Sequence, residues 1–132
     1  MNSVIRAYFN DIELRLIEIS IYKDYSIVRK EILYVEAKIR LIITLLNGDT
    51  IELFEYLHEN VGELISKKYS YHWQDKEGQL IKRWDNAPHH KELKNYPHHI
   101  HYGDSRIKSN PCIPNIFTIL DEVEKNQQDR IL

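Results

Sequence analysis

The stretch Val35-Glu-Ala-Lys-Ile-Arg-Leu-Ile-Ile-Thr-Leu45 puts Val35, Ala37, Ile39, Leu41, Ile43 and Leu45 on one face and Glu36, Lys38 and Arg40 on the other. Strict period-two alternation belongs to a half-buried strand, whose successive side chains point to opposite faces. Asn47-Gly48-Asp49 follows, a turn sequence because Asn and Gly accept positive φ, and residues 50–57 return as the partner strand. An antiparallel sheet at the centre of the chain is the first expectation.

A second hairpin follows. Residues 67–74 are rich in strand-formers (Tyr69, Tyr71, Trp73), Asp75-Lys-Glu-Gly78 turns, and residues 80–85 return. Residues 25–33 add a fifth strand or extend the first. Upstream, Ile5, Tyr8, Phe9, Ile12, Leu16 and Ile19 recur at helical spacing over residues 3–20, with Asn2 or Ser3 as N-cap. Downstream, Pro88 and Pro97 mark residues 86–101 as an irregular loop, because proline interrupts both helix and ladder. After an extended piece near Ile107, Asn115 caps a helix with Ile116, Ile119, Leu120 and Val123 on its apolar face. The expected fold is α+β: an antiparallel sheet of four or five strands, an N-terminal and a C-terminal helix, and a His-rich irregular loop. One domain spans 1–132, divided into helix (1–22), hairpins (23–85), His-rich loop (86–110) and helix (111–132).

Composition agrees. At 132 residues, 42% hydrophobic and 29% charged, the chain suits one core. No 18-residue apolar run and no signal-peptide pattern is present, so a membrane partner is not expected. The single cysteine, Cys112, excludes an internal disulfide and suits a reducing cytoplasm. Charge is uneven. Residues 1–66 carry seven Lys/Arg against eleven Asp/Glu, residues 67–108 nine against five, and residues 109–132 two against four. The basic middle segment favours a local anionic ligand over nucleic-acid coating by the whole surface.

That segment is also the histidine-bearing one. Pro88-His89-His90 and Pro97-His98-His99 stand nine residues apart, His101 follows, and with His72 six of the seven histidines fall between 72 and 101. Histidine exchanges protons near neutrality and is the commonest metal ligand. The prolines stiffen the loop, and an extended 98–101 turns His99 and His101 to one side and His98 to the other. Two registers of the second hairpin compete. The favoured one, a type I turn with a Gly bulge, pairs Asp75 with Gln79, Trp73 with Ile81 and Tyr71 with Arg83, which leaves His72 opposite Arg83 and Asp85. A loop without the bulge places His72, Arg83 and Asp85 together. For Glu52, Glu55 and Glu59 a solvated strand edge is expected.

Three chemistries compete for the cluster. The first is acid–base cleavage of RNA without a metal: one neutral imidazole takes the 2′-hydroxyl proton, a protonated one serves the leaving oxygen, and Arg83 or a lysine faces the phosphorane. The candidate catalytic residues are His89, His90, His98, His99, His101, Arg83 and Asp85, with Asn86, His72 and Tyr71 binding substrate. The second is a zinc or other divalent metal site drawn from His99, His101 and His89, although no recognised zinc spacing is present. The third is structural, with imidazoles tying the loop to the sheet through Asp85 and backbone carbonyls.

The runs Tyr69-Ser-Tyr-His-Trp-Gln-Asp-Lys-Glu-Gly78, Arg83-Trp-Asp-Asn-Ala-Pro-His-His90 and Tyr96-Pro-His-His-Ile-His101 resemble the TumE-type toxin family, small proteins of bacterial toxin–antitoxin gene pairs. The likeness is specific over residues 69–101 and looser elsewhere. Where relatives carry Pro after the first His pair, this chain has Lys91, which bears on loop shape. The resemblance implies a toxin neutralised by a cognate antitoxin protein, with Arg83, Asp85, Asn86, His89, His90, His98, His99 and His101 as site residues. RNA as a partner is the inference from histidine chemistry; a homodimer stays open.

Overall fold

A computed structural model describes residues 3–131, with only the backbone described at Ile131. Asn2, one of the two expected N-caps, lies outside the described residues, and Ser3 is already helical. The chain runs α1 (Ser3–Glu18), β1 (Tyr22–Ile32), β2 (Glu36–Leu45), β3 (Thr50–Asn60), β4 (Glu63–Gln74), β5 (Leu80–Asp85), β6 (His99–Tyr102), β7 (Ile107–Ser109) and α2 (Ile116–Ile131). The α+β class and both terminal helices are as expected. The strand count is corrected: among the described residues the sheet has seven strands in sequence order, each antiparallel to the next, not four or five.

The two extra strands lie inside the segment expected to be loop, 86–110. β6 has four residues and β7 three, too short to show a period in sequence. Their order comes from pairing on β5, where Asp85 meets His99 and Arg83 meets His101. Residues 25–33 fall largely in β1, the far edge strand.

Both helices cover one face of the sheet. Ile5, Phe9, Ile12 and Leu16 of α1, and Ile116, Ile119, Leu120 and Val123 of α2, pack with Ala37, Ile39, Leu41, Ile43 and Leu45 of β2 and with Tyr69, Tyr71 and Trp73 of β4. Each buried Ile, Leu, Val or Phe contributes about 1.5–3 kcal/mol, so the alternation of β2 fixes which face the helices take. Asn115 caps α2 as expected, its Oδ1 accepting from Thr118 N at 3.0 Å. α1 stops before Ile19, which is more than a third exposed. Arg15 of α1 bridges to Glu124 and Asp121 of α2. Among the described residues, no helix is long and apolar enough to cross a membrane.

The other face carries mostly polar side chains, with Ile42, Phe54 and Tyr56 among them. The expected solvated edge is corrected at two of its three glutamates: Glu55 points to the helix face and is fully buried, accepting from Tyr8 at 2.7 Å and Tyr71 at 2.5 Å. Glu59 is buried too, while Glu52 stays on the open face and pairs with Arg40 at 2.9 Å.

The second hairpin corrects the favoured register. The turn itself forms as read, with Asp75 N donating to Gln79 O and Gly78 at φ 84°. One rung further the ladder shifts: Gln74 meets Leu80, but Trp73 meets Lys82 and His72 meets Arg83. Ile81 is an extra residue, and every side chain beyond it changes face. The cause lies outside the hairpin. Gly103, in the β6–β7 turn, donates to Ile81 O at 3.1 Å, and any Cβ on it would lie 2.2 Å from Leu80 O. A glycine distant in sequence therefore secures the bulge.

Candidate functional site

The shifted register puts Trp84 on the helix face and sends Arg83 and Asp85 to the open one, beside His72. β6 then adds His99 opposite Asp85 and His101 opposite Arg83, on that same face. Three neighbouring strands thus assemble His72, Arg83, Asp85, His99 and His101. The loop before β6 contributes His90, whose ring lies edge-on to His99 and His101 at 5.2 and 5.8 Å between centroids. His90 sits at φ 58°, a left-handed conformation that non-glycine residues adopt rarely and that is often retained at functional sites.

Asp85 is the hub. It is 4% exposed, and its carboxylate accepts from Arg83 Nε at 3.0 Å and from Ala87 N at 3.0 Å. His99 Nε2 lies 2.9 Å from Oδ1, and His101 Nε2 lies 3.7 Å from Oδ2. The His99 contact is proximity and not a hydrogen bond: the N–H direction misses the oxygen, and buried Nε2 has no hydrogen-bond partner. The tautomer of His99 is set on the other side of the ring, where Nδ1 lies 2.8 Å from Pro97 O. A carbonyl only accepts, so Nδ1 carries the proton. Arg83 only donates, so His72 Nδ1, 3.3 Å from Arg83, offers its lone pair, and its Nε2 donates to Gln74 Oε1 at 3.1 Å.

Burial lowers the pKa of His101 from the usual 6.5; Asp85 pulls it up, while His99, His90 and Arg83 push it further down. At neutral pH this imidazole is therefore the neutral, proton-accepting form. His98 is lowered as well, by burial and then by His99.

Not every expected residue joins the centre. His98 stacks on Tyr69, centroids 5.8 Å apart, with its Nδ1 2.9 Å from the tyrosine hydroxyl. Tyr71 lies on the opposite, covered face, bonded to Glu55. Asn86 extends the sheet beyond Asp85: its Oδ1 accepts from Tyr69 N, and its Nδ2 donates to Lys67 O. His89 is exposed beside His90, and its ring is not part of the converging trio.

Segment charges missed part of the face. Arg29, Lys38, Arg40, Lys68 and Arg83 line one depression with Glu52, Phe54, Tyr56 and Ser70. Arg40 lies over Phe54 at 4.7 Å and Lys38 over Tyr56 at 5.0 Å. Three of these cations come from the first 66 residues, whose net charge is negative; of that segment's acids Glu52 alone lines the depression, paired with Arg40 at 2.9 Å, while Glu31 pairs with Arg29. The signal was present: Lys38 and Arg40 occupy the polar alternate positions of β2. Arg83 joins this cationic depression to the histidine centre.

Neither the curated proteins nor the solved structures yield a match to this chain. The family described as "Toxin TumE" matches residues 12–131, a span that includes every residue of the histidine centre and of the cationic depression. With all but the chain's ends inside that match, the protein belongs to the TumE toxin family.

Proposed function

We propose that this chain is the toxin half of a toxin–antitoxin pair, that it acts on RNA, and that it cleaves the strand at the histidine centre by acid–base chemistry. The observation that carries the proposal is one arrangement: His90, His99, His101, Asp85 and Arg83 converge where a cationic depression ends. The depression offers guanidinium and ammonium groups to successive phosphates, and the half-buried Tyr56 offers a ring to a base. At its end, His101 takes the 2′-hydroxyl proton as that oxygen attacks phosphorus. A second imidazole, on the His90 side, returns a proton to the departing 5′-oxygen. The products are a 2′,3′-cyclic phosphate and a free 5′-hydroxyl. Arg83 stands across the rung from His101, where charge develops on the phosphorane.

The partners implied are RNA and a cognate antitoxin protein. The compartment is the cytoplasm, where RNA is present and the thiol of Cys112 stays reduced.

The test uses the full-length chain with structured and single-stranded RNA, once in chelator and once with added zinc. Cleavage in chelator supports the reading, and His101→Ala then slows it by roughly 10²–10⁴, the usual worth of a proton-transfer group; cleavage that needs zinc overturns the acid–base route. Intact RNA in both conditions, with toxicity unchanged in His101→Ala, overturns it. RNA bound but uncut would identify a binding module in place of a nuclease.

A further inference from the structure

The geometry points to a metal site: His90, His99 and His101, with Asp85, bind one divalent transition-metal ion. One ligating nitrogen from each histidine lies within 4.8 Å of the others. Asp85 supplies one oxygen beside each of two of them, Oδ1 at 2.9 Å from His99 Nε2 and Oδ2 at 3.7 Å from His101 Nε2. Ligand atoms around a tetrahedral ion with bonds of 2.0–2.2 Å stand about 3.3–3.6 Å apart; Oδ1 stands slightly inside that spacing from His99 Nε2 and Oδ2 slightly outside it from His101 Nε2. Drawing in the widest of the three nitrogens takes at most about 1.5 Å of side-chain movement shared between ligands. His90 comes from a loop, the element best able to supply it.

The stronger observation is His99. Its side chain is 2% exposed, and its Nε2 is a buried nitrogen with no hydrogen-bond partner. A proton on that nitrogen does not aim at Asp85, and a bare lone pair 2.9 Å from a carboxylate oxygen is repelled by it. A cation shared by nitrogen and oxygen resolves both problems. The opposite ring nitrogen is already arranged for this, since Nδ1 donates to Pro97 O at 2.8 Å. A ring N–H bonded to a carbonyl is how metal-bound imidazoles are ordinarily oriented. Asp85 is oriented in turn by Ala87 N and Arg83 Nε.

Chemistry selects the class of ion. Three imidazoles and one carboxylate suit zinc and its neighbours cobalt and nickel, while magnesium and calcium prefer all-oxygen shells. Arg83 sharpens that preference, because its charge cancels that of Asp85 and leaves nitrogen donation to hold the ion. The inference stands apart from RNA cleavage, and either can fail alone. A bound ion would take the lone pairs that proton transfer needs, so ion and protons compete for one centre.

The experiment is titration of the full-length chain, free of any added histidine tag, with cobalt(II) and zinc at neutral pH. Binding is followed by calorimetry and by the visible absorption of cobalt, which is intense only in a tetrahedral site. About one ion per chain is expected, with an intense cobalt band. His90→Ala and His101→Ala should each weaken binding roughly tenfold or more, while His58→Ala, outside the centre, should not. His99→Ala is uninformative alone because that ring is packed, so the two partly exposed histidines carry the test. No saturable binding, or binding indifferent to both His90→Ala and His101→Ala, overturns the inference.

Discussion

Two carboxylates are buried on opposite faces of one sheet, and their company differs. Glu55 on β3 is fully buried between two phenols and accepts hydrogen bonds from Tyr8 and Tyr71. Burial, the largest influence, pushes its pKa up to about 7, against the downward pull of those two donors and the Ile116 backbone. Asp85 on β5 is almost as buried but sits among a guanidinium and two imidazoles. Neutral donors in a closed core make a structural knot. Groups that carry or exchange positive charge, open on one side to solvent, make a reactive centre. Burial alone does not separate the two; partners and access do.

The largest effect should come from exchanging charge for amide at each carboxylate. Asp85→Asn removes the anion that Arg83, His99 and His101 share. Toxicity on expression and RNA cleavage should fall at least a hundredfold. Stability should drop by about 2 kcal/mol, discounted from the usual buried-pair cost because Arg83 is more than a third exposed. Glu55→Gln should keep full toxicity. The reverse pattern, with toxicity lost at Glu55 and kept at Asp85, would move the site to the other face.

Acidity sharpens the comparison next. The ordinary carboxyl value here is 4.5, and folded Glu55 stands near 7. Between those values the folded chain holds a proton that the unfolded chain has released. That contribution to stability is complete below pH 4.5 and is lost as pH rises through 7, by about 3 kcal/mol when ionisation is complete. His98 and His101, held below the usual 6.5, act in the opposite direction: their contribution is complete above 6.5 and is lost as pH falls through their lowered values. The difference between wild type and Glu55→Gln isolates the carboxyl: melting temperature against pH should fall more steeply for wild type from pH 5 to 8. Parallel curves would mean that Glu55 is ionised throughout that range.

The same contrast explains what the sequence could reveal. The covered face was readable, because Ala37 through Leu45 repeat with period two and Ile116 through Val123 at helical spacing, and burial of each repeats the same signal. The open face was readable only as a list of residue types. Gathering it required the Ile81 bulge, secured by Gly103, and the pairing of a four-residue strand, neither of which has a local signature. Reading the hairpin turn correctly still gave the wrong face for Arg83 and Asp85. One unpaired residue two rungs away reversed them. His98 and His99, adjacent in sequence, divide between Tyr69 and Asp85 for the same period-two reason.

The smallest expected effect concerns the cations that chain-segment charge concealed. Lys38 lies over Tyr56 and carries no share in the histidine centre, so Lys38→Ala should leave the cleavage rate at saturating RNA unchanged. If Lys38 meets a phosphate, the slope of log affinity against log salt should fall by roughly 0.7–0.9, the share of one phosphate contact. Lys23→Ala, at the start of the edge strand and outside the depression, is the control that should change neither quantity. Equal slopes for wild type and Lys38→Ala would confine the RNA to the neighbourhood of Arg83. The depression would then be a solvated sheet face, and the histidine centre alone would carry the function of the open side.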